Sequence, residues 1–477
     1  PAQHREQWGR AMQLILHRIA ESQEMNTDLD RYLKWLLFLP QALLRQAKRG
    51  GKNGTLLVKK RFNCIVNNDY ASLVNIWEKD REFALKKQSR KDGNKNDKDQ
   101  DEEKITRKAV SLISKGFISK ATNRILSNGV ADISEKATKD SLRAKYPNRK
   151  FHLPTSVPKG IPVDSIDLRS IFMNLKAGVA PGTGGCRPEF LSVLTEVWEE
   201  WSPGWEYLEE FSRRYVCGDL PAWFYKVCLS VETVAIFKTK DREKGNIRPI
   251  GMRSPLVKSI HKSVVTQNRQ IFLDYLEPQQ LGMSLSGGAK LVHSVRMVLE
   301  SNPSFICIKL DFKNAFNEVS RARILEVLSN TPTLSHLSSF AATILAPNIG
   351  LESKGFLWGC SSEGTTQGDP PSGPFFNVAI QEFVVEADEA LSRVNGVARF
   401  GWDDGYLVGP KDETLDALER FSSQVELRCG LNLQRVKTEY LDISGLMHEG
   451  ETDFTRGGAL VEGVWQNGII CYGVPIG

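Results

Sequence analysis

The eight cysteines of this 477-residue chain include no Cys-x-x-Cys pair, and no His-x-x-x-His accompanies them. A zinc site of the usual ligand spacing is therefore excluded. Several cysteines stand in apolar runs, as Cys307 does in Phe305-Ile306-Cys307-Ile308, so buried free thiols in a reducing compartment are expected. Long apolar runs are also missing. The most apolar window, Trp35-Leu36-Leu37-Phe38-Leu39, is closed by Pro40 and is far too short to span a bilayer, which argues against a membrane partner. The chain opens at Pro1 without methionine or a signal-like apolar region, as a fragment or processed piece would. Residues 86–104 contain no apolar side chain at all, and a stretch that can bury nothing is expected to be a disordered linker. From Arg45 to Arg61 acids are absent while Arg45, Lys48, Arg49, Lys52, Lys59, Lys60 and Arg61 are present. That bias favours a phosphate backbone as partner, with a solvated basic loop as the competing reading.

What is present is ordinary for a folded chain: 41% hydrophobic and 25% charged residues, with 63 Lys and Arg against 57 acids for a net charge of +6. The length allows two or three domains. Trp8 to Arg45 shows helical spacing, with Met12, Ile15, Leu16 and Ile19 on one face and Leu33, Leu36 and Leu37 on another, predicting a packed helical pair. Helical patterning returns from Thr106 to Leu142, and Pro147, Pro154, Pro158 and Pro162 mark an extended crossing. Ala180-Pro181-Gly182-Thr183-Gly184-Gly185 is either a phosphate cradle or a glycine turn between helices. Glu232–Lys238 and Ile247–Ile250 read as a β-hairpin carrying Lys238, Lys240 and Arg248, suited to clamping a triphosphate or merely decorated with charge. Lys258, His261 and Lys262 follow at helical spacing and either line a nucleic-acid channel or face water. Gly282–Ala289 has the glycines of a P-loop but Gly288-Ala289 where Lys and Ser/Thr are required, which excludes that motif.

The acids carry the strongest signal. Phe400-Gly401-Trp402-Asp403-Asp404-Gly405-Tyr406 reads as a hairpin with Asp-Asp-Gly at its tip, and Phe305 to Leu310 as a buried strand that ends on Asp311. A carboxylate at the end of a buried strand is unfavourable unless it is paired or binds metal. If the strands are neighbours, Asp311, Asp403 and Asp404 converge as ligands for two divalent ions roughly 4 Å apart, the arrangement for in-line nucleotidyl transfer. Magnesium suits such a site, with manganese as a substitute. Between them, Thr366 to Asn377 is a Gly/Pro turn that opens an apolar helix and lets a template and nucleotide approach the backbone.

These motifs, in this order, resemble a reverse transcriptase of the non-LTR retrotransposon class, similar to the group II intron enzymes. The residues that carry the likeness are Ala180 through Glu189, Lys238 with Arg248-Pro249-Ile250, Gln279 through Gly288, and Asp311 through Asn317. It continues with Gln367-Gly368-Asp369-Pro370, Trp402 through Gly405, Gly430 through Leu433, Lys437-Thr438-Glu439 and Gly473 through Gly477. The resemblance spans about residues 170 to 477 and departs at Gly184, where an acid is common, and at Gly401, where an aromatic residue is usual.

The resemblance implies an α+β right-hand polymerase with an antiparallel-sheet palm and mixed α/β fingers, preceded by an α-helical N-terminal region, with the thumb absent. The corresponding boundaries are a helical basic region at 1–85, the linker at 86–104, a helical extension at 105–162, fingers at 163–310 and palm at 311–477. It further implies catalytic and metal roles for Asp311, Asp403 and Asp404, with Lys437 as proton donor to pyrophosphate. Lys238, Arg248, Phe312, Gln367 and Gly368 would meet the nucleotide, and Phe316 would be the gate against a ribose 2′-hydroxyl. Arg45, Lys48, Arg49, Lys59, Lys60, Arg61, Lys258, Lys262 and Arg296 would meet nucleic acid, and the hairpin near Trp465 to Tyr472 would grip the primer. The implied partners are an RNA template, a DNA primer or target and dNTPs, in a nuclear or cytoplasmic ribonucleoprotein, with a thumb or endonuclease beyond Gly477. An RNA-dependent RNA polymerase and a non-catalytic RNA-binding scaffold are the alternatives.

Overall fold

The computed structural model describes residues 2–22, 27–44, 52–92, 98–114, 116, 118–154, 166–238, 246–445, 447, 452–461 and 464–477. Arg45, Lys48, Arg49 and Lys240, expected to meet phosphates, lie outside them.

Four helices open the chain: Ala2–Glu21, Thr27–Leu44, Lys52–Val66 and Tyr70–Asp92. Met12, Ile15, Leu16, Ile19, Leu33 and Leu36 are buried, as their spacing requires of an apolar stripe. Lys59 and Lys60 are exposed on the third helix. Arg61 departs from the expectation. Only 1% exposed, it pairs with Asp80 of the fourth helix and donates to the Leu43 carbonyl at 3.4 Å, so it cannot reach a nucleic acid. Counting basic residues along the chain does not reveal which face of a helix each occupies. The charged stretch expected as linker is helical where described: the fourth helix runs to Asp92 and the next is Lys98–Ile113. Lys, Gln and Glu favour the helix even with nothing to bury.

Thirteen strands are described: β1 (Val231–Phe237), β2 (Ile247–Met252), β3 (Ile306–Leu310), β4 (Ile349–Ser353), β5 (Phe356–Ser361), β6 (Val397–Gly401), β7 (Asp404–Gly409), β8 (Glu439–Asp442), β9 (Thr455–Arg456), β10 (Gly458–Val461), β11 (Val464–Asn467), β12 (Ile469–Cys471) and β13 (Val474–Ile476). They form a five-stranded sheet β6-β7-β3-β8-β9, a four-stranded sheet β2-β1-β4-β5, and the hairpins β10-β11 and β12-β13. Both larger sheets are mixed: β8 runs parallel to β9, and β1 parallel to β4. With the helices, this is an α+β architecture.

The helix Ser372–Ser392 forms the floor of the five-stranded sheet. Phe375, Phe376, Val378, Ala379 and Ile380 are all essentially inaccessible, the burial expected of a helix that is apolar all round. All eight cysteines are free thiols, six of them buried. The glycine turn near 180 has a packing role. A Cβ on Gly182 would fall 2.3 Å from the Arg253 carbonyl oxygen, so glycine is required there by close backbone approach.

Candidate active site

Strand β3 pairs antiparallel with β7 in a register that sets Ile306 opposite Gly409 and Leu310 opposite Gly405. Asp311, the next residue, therefore stands level with the turn that joins β6 to β7. In that hairpin Gly401 pairs with Asp404, which leaves Trp402 and Asp403 as the two turn residues. The turn thus lies one residue earlier than the expected Asp-Asp-Gly, and Asp404 begins a strand. Trp402 adopts φ +61°, a backbone region that disfavours a bulky side chain. Two glycines accommodate it, and a third makes room for Tyr472 beside it. Its ring lies where a Cβ on Gly282 or Gly373 would be, at 2.7 and 2.2 Å, and a Cβ on Gly401 would fall 2.1 Å from the Tyr472 hydroxyl. That hydroxyl donates to the Gly401 carbonyl at 2.6 Å. Tyr472, from the turn of β12-β13, thus supplies an aromatic ring beside the position where the resemblance leads one to expect one.

Asp311 and Asp403 line one pocket of about 160 Å³ together with Lys145, Lys238, Arg248, Lys437, Gln367 and Phe316. Segments far apart in sequence converge here for local reasons. The Asp311 carbonyl accepts from the Gln434 amide at 2.7 Å and Lys313 donates to Asn432 at 2.9 Å, which draws the segment bearing Lys437 against the end of β3. The β1-β2 hairpin, with Ile236 opposite Arg248, brings Arg248 to the pocket. Phe316, on the short helix Ala315–Glu318, packs on Phe376 with ring centres 5.3 Å apart and the planes tilted by 47°, and its carbonyl accepts from the Thr365 amide at 2.6 Å. Phe312 also lines the pocket, but its 7% exposed ring packs on Phe376 and Phe421, making it wall rather than contact.

Burial raises the Asp311 carboxyl above its ordinary value. Lys437 pulls it back, and the charge of Asp403 pushes it up again. Burial likewise raises Asp403 and Asp404, with Asp403 acting as a second cause at Asp404. Lys238 is lowered, first by burial and then by repulsion from Lys437 and Arg248. Among the described residues, the acids and cations of the pocket form no direct pairs.

Among the described residues, no group of three or more His, Cys, Asp or Glu is arranged to hold a metal ion. Asp404 does not line the pocket, although the charges of Asp403 and Asp311 both reach it. Asp311 and Asp403 do, and two carboxylates completed by substrate phosphates match the needs of magnesium. Burial raises both carboxyls and the charge of Asp403 raises Asp311 further, which a bound cation would relieve, so the two acids fit such an ion.

Other expected site residues are distributed as follows. Gln367 lines the pocket while Gly368, at φ +95°, does not. Lys258 and Lys262 are exposed on the helix Pro255–Gln267, away from the pocket lining. Arg296 donates to the Pro475 carbonyl at 3.2 Å and so holds the β12-β13 hairpin. His261 faces neither water nor a channel. It is fully buried, with Nδ1 2.8 Å from Asp369 Oδ1 and Nε2 2.9 Å from the Tyr215 hydroxyl. Asp369 Oδ2 lies 2.8 Å from Arg253 Nε, and Arg253 donates to the Leu229 carbonyl at 2.6 Å and to Thr366 Oγ1 at 3.0 Å. This network fixes the loop that presents Gln367. Sequence reasoning missed Arg253 and also Arg321, which is fully buried and donates to the carbonyls of Gly364, Leu345 and Pro347. It missed Lys145 as well. An isolated basic residue carries no local signal of what it will face.

Residues 237–454, from the end of β1 to just before β9, match the family model of the reverse transcriptase (RNA-dependent DNA polymerase). No curated protein matches the chain. Among solved structures, the chain is similar to apo telomerase from Candida tropicalis truncated from the C-terminal domain, at 14% identity and TM-score 0.35, covering 52% of this chain and 54% of that one. It is also similar to apo telomerase from the same organism, at 14% identity and TM-score 0.35, covering 45% of this chain and 44% of the other. The chain spans about half the length of these structures. No helix among the described residues is long and apolar enough to cross a membrane.

Proposed function

We propose that this chain is an RNA-directed DNA polymerase that adds deoxynucleotides from dNTPs to a DNA primer paired with an RNA template. The observation that carries the reading is a single pocket in which Asp311 and Asp403 face Lys238, Arg248 and Lys437, walled by Phe316 and Gln367. The family match over 237–454 supports the same class. The order of the motifs favours a retroelement protein of the non-LTR kind.

Magnesium held by Asp311, Asp403 and phosphate oxygens would activate the primer hydroxyl and neutralise charge on the phosphates. The chain's own residues supply the rest. Lys238 and Arg248 hold the triphosphate, Arg by its planar fork and Lys as a point charge. Lys437 donates a proton to the departing pyrophosphate. The Phe316 ring, braced on Phe376, stands against a 2′-hydroxyl. Gln367, at the edge of the buried Asp369 network, positions the nucleotide and its template base.

Primer extension on an RNA template with magnesium tests the assignment. Asp403→Asn is expected to lose activity on the order of a thousandfold. Phe316→Ala is expected to admit ribonucleotides. Full activity in Asp403→Asn would remove the polymerase reading, and unchanged sugar selectivity in Phe316→Ala would remove the gate.

A further inference from the structure

Lys145 lies outside the stretch matched by the family model, yet it lines the same pocket as Asp311, Asp403, Lys238 and Lys437. Its place is secured on both sides. Upstream, Ala131 donates to the Ala235 carbonyl at 2.9 Å and Phe237 to the Gly129 carbonyl at 3.2 Å, so this segment lies along β1. Asn128 Nδ2 donates to the Lys238 carbonyl at 2.8 Å, tying the extension to a residue of the pocket itself. Downstream, Tyr146 meets Trp358 edge to face at 5.8 Å, and Arg149 donates to the carbonyls of Ser362 and Ala346, each at 3.1 Å. The Lys150 amide donates to Glu363 at 3.1 Å. Between these attachments the helix Lys136–Arg143 buries Leu142 completely. The extension is built onto the sheets, and Lys145 is carried by it to the pocket wall.

Among the described residues, the charge placed there has no partner of its own. Lys145 forms no ion pair with a described residue, and the charges that act on it are those of Lys238 and Lys437. Burial is the larger influence and lowers its ammonium pKa, with both lysines lowering it further. Four cations around two carboxylates repel one another in the free protein, and a ligand bearing several negative charges converts that repulsion into attraction.

Resting on the reading of this pocket as a nucleotide site, we propose that Lys145 is a further ligand of the triphosphate of the incoming nucleotide, delivered by the segment that precedes the family-matched part of the chain. The triphosphate is favoured over template phosphates because Lys145 shares its pocket with the two acids and Phe316, where the reacting nucleotide must lie. The binding site is then assembled from three separate stretches of chain: 145, 238 with 248, and 437.

The test is direct binding of a fluorescent dNTP analogue to the full chain in the presence of magnesium, comparing wild type with Lys145→Gln and Lys145→Arg. Loss of one charge-assisted contact is expected to weaken nucleotide binding about tenfold in Lys145→Gln, with Arg recovering most of it. Binding of a template–primer duplex, measured separately by anisotropy, is expected to stay unchanged, and thermal melting identifies a variant that fails to fold. In that event Lys145→Arg and Lys145→Met decide the matter by the same contrast of charge kept and charge removed. Unchanged nucleotide affinity in a folded Lys145→Gln protein would overturn the proposal, as would weakened duplex binding with nucleotide affinity intact. Primer extension by wild type answers a different question: its failure would remove the polymerase reading, whereas the binding assay judges Lys145 on its own.

Discussion

A buried carboxylate and two half-buried ones are treated in opposite ways in this protein. Asp369 is enclosed with a full complement of partners, Arg253 on one oxygen and His261 on the other. Burial alone would raise its pKa, but Arg253 and then His261 outweigh burial and hold it below the usual carboxylate value. Asp311 and Asp403 are half-buried, yet among the described residues no cation pairs with them, and burial leaves both raised. A satisfied acid serves architecture, because its energy is already spent on neighbours that never leave. An unsatisfied acid at a pocket wall retains an affinity that only a visiting cation can meet.

The contrast can be broken by removing one charge at a time. Asp369→Asn leaves Arg253 buried without its counter-ion, which is expected to cost about 3–5 kcal/mol of stability. Asp403→Asn removes a repulsion, so it should leave the melting temperature unchanged or raise it while polymerase activity disappears. Urea unfolding of both variants measures the difference, and equal destabilisation by the two would show that the carboxylates are not distinct in kind.

A smaller effect is expected at the floor of the Trp402 ring. Gly373→Ala places a methyl group 2.2 Å from that ring, which must shift and carry Asp403 with it. Overpacking of this kind is expected to destabilise by about 1–3 kcal/mol. Its effect on nucleotide incorporation should exceed its effect on stability, because the displaced group adjoins a carboxylate of the pocket. A variant with full activity would mean that the Asp403 turn tolerates movement of its neighbour.

The strands around Asp311 and Asp403 were legible because apolar runs of strand length end on acids. The β1-β2 hairpin was legible for the same reason. The exact turn was not. Asp-Asp-Gly is better turn chemistry than Trp-Asp, and the sequence does not disclose that Gly282 and Gly373 make room for a tryptophan in a left-handed conformation. Two distant glycines decide that position, and neither is near it in sequence. Arg61 and His261 were misread for a related reason: a charged or titratable residue at helical spacing presents itself alike whether its partner is water or a buried acid. Lys145 was overlooked because its importance arises wholly from the sheet edge to which its segment attaches.

The gentlest test of the comparison concerns His261, the partner that completes Asp369. Burial lowers its pKa below the ordinary 6.5, with Asp369 opposing and Arg253 adding to the shift. Below pH 6.5 the unfolded chain therefore takes up a proton that the folded chain refuses, so stability is complete above that value and falls as pH drops toward the folded pKa. The contribution of Asp369 is lost at lower pH, as its own depressed folded pKa is reached, so between about pH 6.5 and 4 the histidine acts alone within this network. The slope from one such group is at most about 1.4 kcal/mol per pH unit. His261→Gln keeps a polar side chain but cannot titrate, and it should be less stable than wild type at pH 7.5 while losing less stability on going to pH 5.5. Denaturant unfolding at the two pH values measures this directly: identical slopes in the two proteins would mean that His261 titrates alike in the folded and unfolded chain, and a wild-type stability that rises toward pH 5.5 would mean that His261 carries its proton in the fold.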